Sequence, residues 1–263
     1  MKPSLAVLCA LVSCTAGSSH DAPALEAERE RMVRTTIVRP TDGRRPVRDP
    51  RVIEAMQTVP RHRYMPAEVR EWAYQDTPAP IGQDQTISQP YIVARMTELL
   101  EPAPEDVILE VGTGSGYQAA VLSGLVDRVY TIEIVEELAA RASEALHADG
   151  RANVEVRVGD GYAGWPEHAP FDGIVVTAAP DHVPEPLKEQ LAVGGRLVIP
   201  VGPPGRTQQL LVLTRHPDGS LDQATGIPVR FVPFTGPAVA DPRRRLPPTQ
   251  AMERAPAGSS GAK

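Results

Sequence analysis

Two carboxylates flank a cluster of glycines in the middle of the chain. Glu110 comes two residues before Gly112 in the segment Leu109-Glu-Val-Gly-Thr-Gly-Ser-Gly-Tyr117, and Glu133 ends the next apolar stretch. Glycines that follow a strand leave backbone N–H groups free and let a ligand approach closely. A carboxylate at Glu133 can accept hydrogen bonds from a ribose diol, whereas one at Glu110 can hold an ammonium group and would repel a pyrophosphate. These residues predict a nucleotide-type site.

The spacing of the glycines distinguishes between cofactors. A dinucleotide fingerprint reads G-x-G-x-x-G/A, in which the third small residue lets helix and strand pack closely. Here that position holds Tyr117, and the third glycine comes one residue early, at Gly116. S-adenosyl-L-methionine has a ribose and an ammonium group but no phosphate, so it fits better than NAD. A dehydrogenase, a non-catalytic protein of the same fold and a glycine turn without any ligand remain the alternatives.

The elements around this turn alternate between strands and helices. Strands alternating with helices imply a doubly wound, Rossmann-like α/β fold with a mostly parallel sheet, here followed by a late antiparallel pair. Ligands in such sheets sit at the carboxyl ends of the strands, which would gather Glu110, Gly112, Glu133, Asp160 and Thr177 in one crevice. The predicted strands are 107–111, 128–133, 153–158, 171–177, 196–201, 208–215 and 224–232, with helices beginning at Gln118 and over 136–147.

Two further polar residues have both a structural and a functional interpretation. Asp160 stands between Gly159 and Gly161, where it is either a turn residue or a carboxylate bonded to the adenine amino group. Ser88 precedes a predicted amphipathic helix with Pro90 in its first turn, which suits an N-cap. The polar loop that holds Ser88 lies next to the cofactor domain in sequence, so contact with a substrate is equally open.

Composition limits the partners. The 263 residues, 41% of them hydrophobic, can bury one sizeable core. A net charge of −6 argues against nucleic acid, because proteins that bind nucleic acid present a basic face.

Enzymes that methylate amino groups often carry an Asn/Asp-Pro-Pro-aromatic motif where this chain has Thr177-Ala-Ala-Pro180. A carboxylate acceptor fits better, since it is already ionised at neutral pH and needs no general base.

Several segments together closely resemble the protein-L-isoaspartate O-methyltransferase family. They are Gln85-Thr-Ile-Ser-Gln-Pro-Tyr-Ile-Val-Ala94, Ile108-Leu-Glu-Val-Gly-Thr-Gly-Ser-Gly-Tyr-Gln-Ala-Ala120, Gly159-Asp-Gly161, Gly194-Gly-Arg-Leu-Val-Ile-Pro-Val-Gly202 and Arg230-Phe-Val-Pro-Phe-Thr-Gly236. The resemblance implies methyl transfer from S-adenosyl-L-methionine to the free α-carboxylate of an L-isoaspartyl residue in a damaged protein or peptide. The methyl ester then cyclises to a succinimide that can reopen to aspartate.

The resemblance also implies roles for individual residues. Ser88 is expected to be the catalytic residue and to contact the substrate together with Ile92 and Val232. The expected cofactor contacts are Gln89, Glu110, Gly112, Gly114, Glu133, Asp160, Gly161 and Thr235. No metal is expected, and the protein is expected to be a monomer. The sequence departs from bacterial relatives at Gly82-Gln-Asp-Gln85, where Gly-Tyr-Gly-Gln is common.

The ends of the chain differ from the middle. Residues 1–28 are interpreted as a signal-like segment and linker, 29–236 as the methyltransferase domain and 237–263 as a disordered tail. Met1 to Cys14 has a lysine followed by a short apolar run, and it ends in a sequence that resembles a lipoprotein processing box at Cys14. Because S-adenosyl-L-methionine is made in the cytosol, a cytoplasmic protein is expected. A periplasmic or lipid-anchored protein is the alternative if the segment is used.

Overall fold

A computed structural model describes residues 23–237 of the chain. The α-helices are α1 (Pro23–Met32), α2 (Pro50–Thr58), α3 (Pro90–Leu100), α4 (Tyr117–Ser123), α5 (Glu136–Ala148) and α6 (Glu185–Glu189). The strands are β1 (Ala79–Gly82), β2 (Gln85–Ile87), β3 (Val107–Val111), β4 (Arg128–Glu133), β5 (Val154–Val158), β6 (Phe171–Val176), β7 (Leu191–Val201), β8 (Gln208–Arg215) and β9 (Leu221–Val229).

Seven of these strands form one sheet in the order β5-β4-β3-β6-β7-β8-β9. The pairs from β5 to β7 are parallel, whereas β7 with β8 and β8 with β9 are antiparallel. The prediction of a doubly wound, mostly parallel sheet with late antiparallel strands is therefore confirmed. The direction of winding reverses between β3 and β6, and sheets of this type bind ligands at such a switch point.

The core lies on both faces of the central strands. Successive residues of a strand point to opposite faces, so a strand buried on both sides is apolar throughout. In β6, Val175 packs into one buried cluster while its neighbours Ile174 and Val176 pack into the other. Strand β7 divides in the same way, with Val198 in the first cluster and Ile199 in the second. This double burial fixes the strand ends that carry the candidate site.

Helices α1 and α2 cover one edge of that core. Helix α2 is capped by Asp49, whose side chain accepts a hydrogen bond from the backbone N–H of Arg51 at 2.9 Å, and Pro50 occupies the first turn. The first helical segment is irregular. It is α-helical only to Met32, and Val33–Val38 forms a π-helical turn with Val33 and Ile37 buried.

The segment before α3 forms a two-stranded hairpin. Strands β1 and β2 pair antiparallel, and the turn between them holds Gln83 and Asp84 at φ 53° and 55°. Both residues are therefore in the left-handed region, which residues other than glycine rarely adopt. The N-cap of α3 is Gln89, so the interpretation of Ser88 as the helix cap was wrong. Asp76 supplies the cap instead, because its side chain accepts a hydrogen bond from the backbone N–H of Tyr91.

The boundaries of some strands differ from the predicted ones. Strand β7 begins at Leu191, earlier than predicted, and its pairing with β6 shifts register between Phe171 and Gly173. Strand β9 ends at Val229, which leaves residues 230–237 to pass over the sheet. The signal-like segment, both cysteines and all but the first residue of the predicted tail lie outside the described residues. Within residues 23–237, no helix is both long and apolar enough to cross a membrane.

Candidate active site

A cavity opens at the carboxyl ends of β3, β4 and β6. Its walls come from these strand ends, from the Ser88 loop and from the segment after β9. The predicted site residues that line it are Ser88, Glu110, Gly112, Gly114, Glu133, Gly161, Val232 and Thr235. Thr177, at the end of β6, lines it as expected. Parallel strands deliver their carboxyl ends to one edge of the sheet, which explains why distant residues meet here.

The charge of the cavity wall limits what it can bind. Among its described lining residues, Glu110 and Glu133 are the acids, and there is no lysine, arginine or histidine. A wall with two carboxyl groups and no basic side chain offers acceptors to a cationic or hydroxyl-rich ligand and gives a phosphate no positive partner. The geometry therefore favours a nucleoside that carries positive charge.

Glu110 borders the cavity although its surface is 0% exposed. Its Oε2 accepts a hydrogen bond from the Thr131 hydroxyl at 2.5 Å, and Thr131 Oγ1 lies 2.7 Å from Thr113 Oγ1. Its Oε1 has no partner among residues 23–237. Burial raises the pKa of Glu110 to about 8; the Thr131 hydroxyl opposes the rise, and the charge of Glu133 adds to it. A buried carboxylate oxygen without a partner is costly, so Oε1 is suited to a donor supplied by a ligand.

Glu133 holds the glycine turn through its own carboxylate. Its Oε2 accepts the backbone N–H of Gly114 at 2.7 Å, and its Oε1 accepts that of Val135 at 3.0 Å. A carboxylate oxygen has two lone pairs, so each oxygen can still accept a hydroxyl. Glu133 is 6% exposed and lines the cavity, so a ligand there can reach its carboxylate.

Gly112 is required by space as well as by backbone conformation. Its φ is 98°, a left-handed value that favours glycine. A Cβ at this position would lie 2.4 Å from Oγ1 of Thr177. That hydroxyl donates to the carbonyl of Gly112 at 2.5 Å, so β3 and β6 close together at the base of the turn. No larger residue fits between them.

A groove continues from the cavity toward β9. Ser88, Thr86, Thr177 and Val232 line both spaces, so the groove and the cavity meet at Ser88. Gln89 and Ile92 line only the groove. The predicted substrate contacts thus lie together, whereas the predicted cofactor residue Gln89 lies on the groove side. Among the described lining residues of the groove, Arg230 is the only charged one.

Asp160 stands beside the cavity rather than in its wall. Its Oδ1 accepts the backbone N–H of Tyr162 at 3.0 Å and so caps the short 3₁₀ turn Gly161–Ala163. The interpretation of Asp160 as a turn residue is therefore consistent with this hydrogen bond. Gly161 lines the cavity, and a Cβ there would lie 2.4 Å from the side chain of Val111.

Sequence reasoning missed several lining residues. Ile134 and Val135 follow Glu133 directly and line the cavity without having been predicted, whereas Phe234 lies in the segment that the family resemblance had indicated. The position of the first two, just after the acid of β4, was a usable signal. Phe234 comes from a segment far along the chain that is tied down by backbone bonds to Ala179, with Ala179 N–H donating to Val232 and Phe234 N–H to Ala179.

A family model for protein-L-isoaspartate(D-aspartate) O-methyltransferase matches residues 33–238 of the chain. This match covers the hairpin, the glycine turn and the segment after β9. The chain belongs to this family.

Relatives agree with the O-methyltransferase assignment along most of the chain. Protein-L-isoaspartate O-methyltransferase 2 of Syntrophobacter fumaroxidans is 57% identical over 188 residues, 72% of this chain and 76% of that relative. Protein-L-isoaspartate O-methyltransferase 1 of Nitrosospira multiformis is 53% identical over 211 residues, 80% of this chain and 88% of that relative. A crystal structure of a Plasmodium falciparum protein-L-isoaspartate O-methyltransferase with S-adenosyl-L-homocysteine aligns with a TM-score of 0.64 at 26% identity, covering 81% and 97% of the two chains.

Within residues 23–237, no group of three or more His, Cys, Asp or Glu side chains is arranged to hold a metal ion.

Proposed function

We propose that this chain transfers a methyl group from S-adenosyl-L-methionine to the free α-carboxylate of L-isoaspartyl residues in damaged proteins and peptides, which starts their return to aspartyl residues. Membership of the O-methyltransferase family supports the reaction and its cofactor. The observation that carries the proposal is the cavity wall with two acids and no basic side chain, joined at Ser88 to a groove whose described charged lining residue is Arg230. The cavity suits a cationic methyl donor, and the groove suits an anionic methyl acceptor.

The residues present fit S-adenosyl-L-methionine. We infer that the free Oε1 of Glu110 accepts from the ammonium group, and that Glu133 accepts from the ribose hydroxyls while it keeps its bonds to the backbone. Gly112, Gly114 and Gly161 allow close approach of the ligand to the backbone. Gln89, Asp160 and Thr235 remain proposed cofactor contacts on the family resemblance, although Gln89 and Asp160 do not border the cavity.

When bound, S-adenosyl-L-methionine supplies an electrophilic methyl group on a positively charged sulfur. The protein's work is then to orient the acceptor carboxylate, which is ionised at neutral pH without help from a base. We infer that the Ser88 hydroxyl donates a hydrogen bond to this carboxylate, with Ile92 and Val232 packing against the substrate. No histidine lines either space in the described part of the chain, so no neighbouring base would activate Ser88 as a nucleophile.

Binding and product chemistry together test the proposal. Isothermal titration should show tight binding of S-adenosyl-L-homocysteine and none of NAD. Incubation with S-adenosyl-L-methionine and an isoaspartyl peptide should give a peptide methyl ester that mild alkali hydrolyses to methanol. Binding of NAD would favour a dehydrogenase, and binding of S-adenosyl-L-homocysteine without ester formation would favour a non-catalytic binding protein.

We further propose a monomer that acts on proteins and peptides, not nucleic acids, in the cytoplasm. The net charge of −6 supports the exclusion of nucleic acid. The cytosolic source of S-adenosyl-L-methionine supports the compartment. Light scattering and N-terminal mass analysis of the native protein test these points; cleavage before Cys14 with lipidation of that residue would overturn the cytoplasmic assignment.

A further inference from the structure

The helix that follows the Ser88 loop is capped by a residue outside it. Gln89 occupies the N-cap position of α3 but makes no capping bond with its side chain. Instead, the backbone N–H of Tyr91 donates to Oδ1 of Asp76 at 2.9 Å. A free N–H in the first helical turn needs an acceptor, and a carboxylate also suits the positive end of the helix dipole. Asp76 therefore provides the cap that the sequence had suggested for Ser88.

Asp76 also fixes the residue next to Ser88. The Gln89 side chain donates through Nε2 to Oδ2 of Asp76 at 2.8 Å and to its backbone carbonyl at 3.0 Å. A guanidinium nitrogen of Arg44 lies 2.7 Å from the same Oδ2. The Asp76 side chain is only 11% exposed, so these charged and polar bonds are poorly screened by water.

The segment that carries Asp76 is itself held from two sides. Arg61 is fully buried and donates to the carbonyl of Thr77 at 3.5 Å. In the first turn of α3, the centroid of the Tyr91 ring lies 4.2 Å from the guanidinium of Arg44, a cation–π distance. A carboxylate fixed in this way can hold the start of α3 in one place.

We propose that Asp76 is a positioning residue for Ser88, an inference that rests on the proposed function. Because Asp76 satisfies the helix end, the Ser88 hydroxyl is not used as a cap, and it makes no hydrogen bond within the described part of the chain. Ser88 lies between the buried Ile87 and the tethered Gln89, where the cavity meets the groove. The network thus leaves the hydroxyl free for a substrate and sets where it points.

Two variants of Asp76 and one matched control test this inference. Asp76→Ala removes the carboxylate and its bonds to Tyr91, Gln89 and Arg44 but keeps the backbone carbonyl, and Asp76→Asn keeps an oxygen for Tyr91 while losing the charge that faces Arg44. Asp49→Ala is the control, because Asp49 also caps a helix with its carboxylate but borders neither the cavity nor the groove. For each protein, kcat with an isoaspartyl peptide, the Kd of S-adenosyl-L-homocysteine and the thermal midpoint are measured.

Displacement of a catalytic group by about 1 Å can cost on the order of a hundredfold in rate. We expect kcat to fall by about tenfold to a hundredfold in Asp76→Ala and by less in Asp76→Asn, with the Kd of S-adenosyl-L-homocysteine within about twofold of wild type. Asp49→Ala should lower the thermal midpoint without lowering kcat. Unchanged kcat in Asp76→Ala would overturn the inference, as would a kcat loss in Asp49→Ala of the same size. If Asp76→Ala does not fold, unchanged kcat in Asp76→Asn overturns it. An inactive wild-type enzyme would instead refute the proposed function.

Discussion

Oε2 of Glu133 accepts the backbone N–H of Gly114 at 2.7 Å, which ties the end of β4 to the glycine turn that follows β3. The same carboxylate both shapes the turn and faces the cavity. Its removal should therefore affect the ligand in two ways, by loss of an acceptor and by release of the turn.

Glu133→Ala should weaken binding of S-adenosyl-L-homocysteine by about tenfold to a hundredfold, because a hydrogen bond to a charged group contributes roughly 1.5–3 kcal/mol. Isothermal titration measures the effect. Glu155→Ala, which removes an exposed acid from the neighbouring strand β5, should bind as wild type does. Equal affinity of Glu133→Ala and wild type would refute the proposed ribose contact.

The buried carboxyl of Glu110 should make ligand binding depend on pH. Burial raises its pKa to about 8, so at neutral pH most molecules carry it protonated, and a cationic ammonium group favours its ionised form. Affinity for S-adenosyl-L-homocysteine should rise from pH 6 to about pH 8 and then level off. Titration of Glu110→Gln over the same range isolates this contribution from the ligand's own ionisation. Identical pH profiles for the two proteins would contradict it.

The same group should make the unfolding free energy of the free protein depend on pH. A carboxyl whose pKa is raised in the folded state stabilises the fold most below its unfolded pKa, near 4.5, and that stabilisation is lost as pH rises toward about 8. Wild type should therefore lose stability relative to Glu110→Gln between these values. Urea unfolding at several pH values measures the difference, and parallel curves would count against a shifted pKa.

Gly112→Ala should abolish cofactor binding and destabilise the fold. The new Cβ would sit 2.4 Å from Thr177 Oγ1 at a residue whose φ is 98°. Gly194→Ala is the matched control, since Gly194 has φ 84° and no atom within 4 Å of the added Cβ. The control should lose only about 1 kcal/mol from backbone strain. Denaturant unfolding and titration with S-adenosyl-L-homocysteine compare the two; equal effects would mean that the contact with Thr177 is unimportant.

Ser88→Ala should lower kcat by about tenfold to a hundredfold and leave cofactor affinity within about twofold, because it removes one hydrogen bond to a carboxylate. Initial rates with an isoaspartyl peptide and titration with S-adenosyl-L-homocysteine provide both values. Ser220→Ala, in the exposed turn between β8 and β9, is the control for the same substitution made outside the site. Normal turnover in Ser88→Ala would leave the residue without a catalytic role.

The parts of the site that local sequence encodes were predictable. The glycine turn, Glu110 and Glu133 sit at the ends of apolar β-rich runs, and the parallel sheet brings those ends together. The cap of α3 was not predictable in this way. Ser88 has the right type and spacing, but Asp76 reaches the helix end from an earlier segment and replaces it. No local pattern records a contact that depends on how the hairpin and the first helices pack.

The groove wall was similarly out of reach of local patterns. Arg230 and Phe234 meet the Ser88 loop only because the segment after β9 returns across the sheet and bonds to Ala179. The strand pattern had extended β9 to Val232, whereas the strand ends at Val229, and only the family resemblance indicated that Val232 and Thr235 belong to the site. For Asp160, local sequence was informative, because its turn geometry follows from the flanking glycines. Its proposed contact with adenine needs a bound ligand.

The most direct test of the whole account is methyl transfer from labelled S-adenosyl-L-methionine to two peptides that differ only in having an isoaspartyl or an aspartyl residue at one position. The account predicts base-labile label on the isoaspartyl peptide, almost none on the aspartyl peptide, and a large loss of the first signal in Ser88→Ala. Equal labelling of both peptides, or no labelling by a protein that binds S-adenosyl-L-homocysteine, would contradict it.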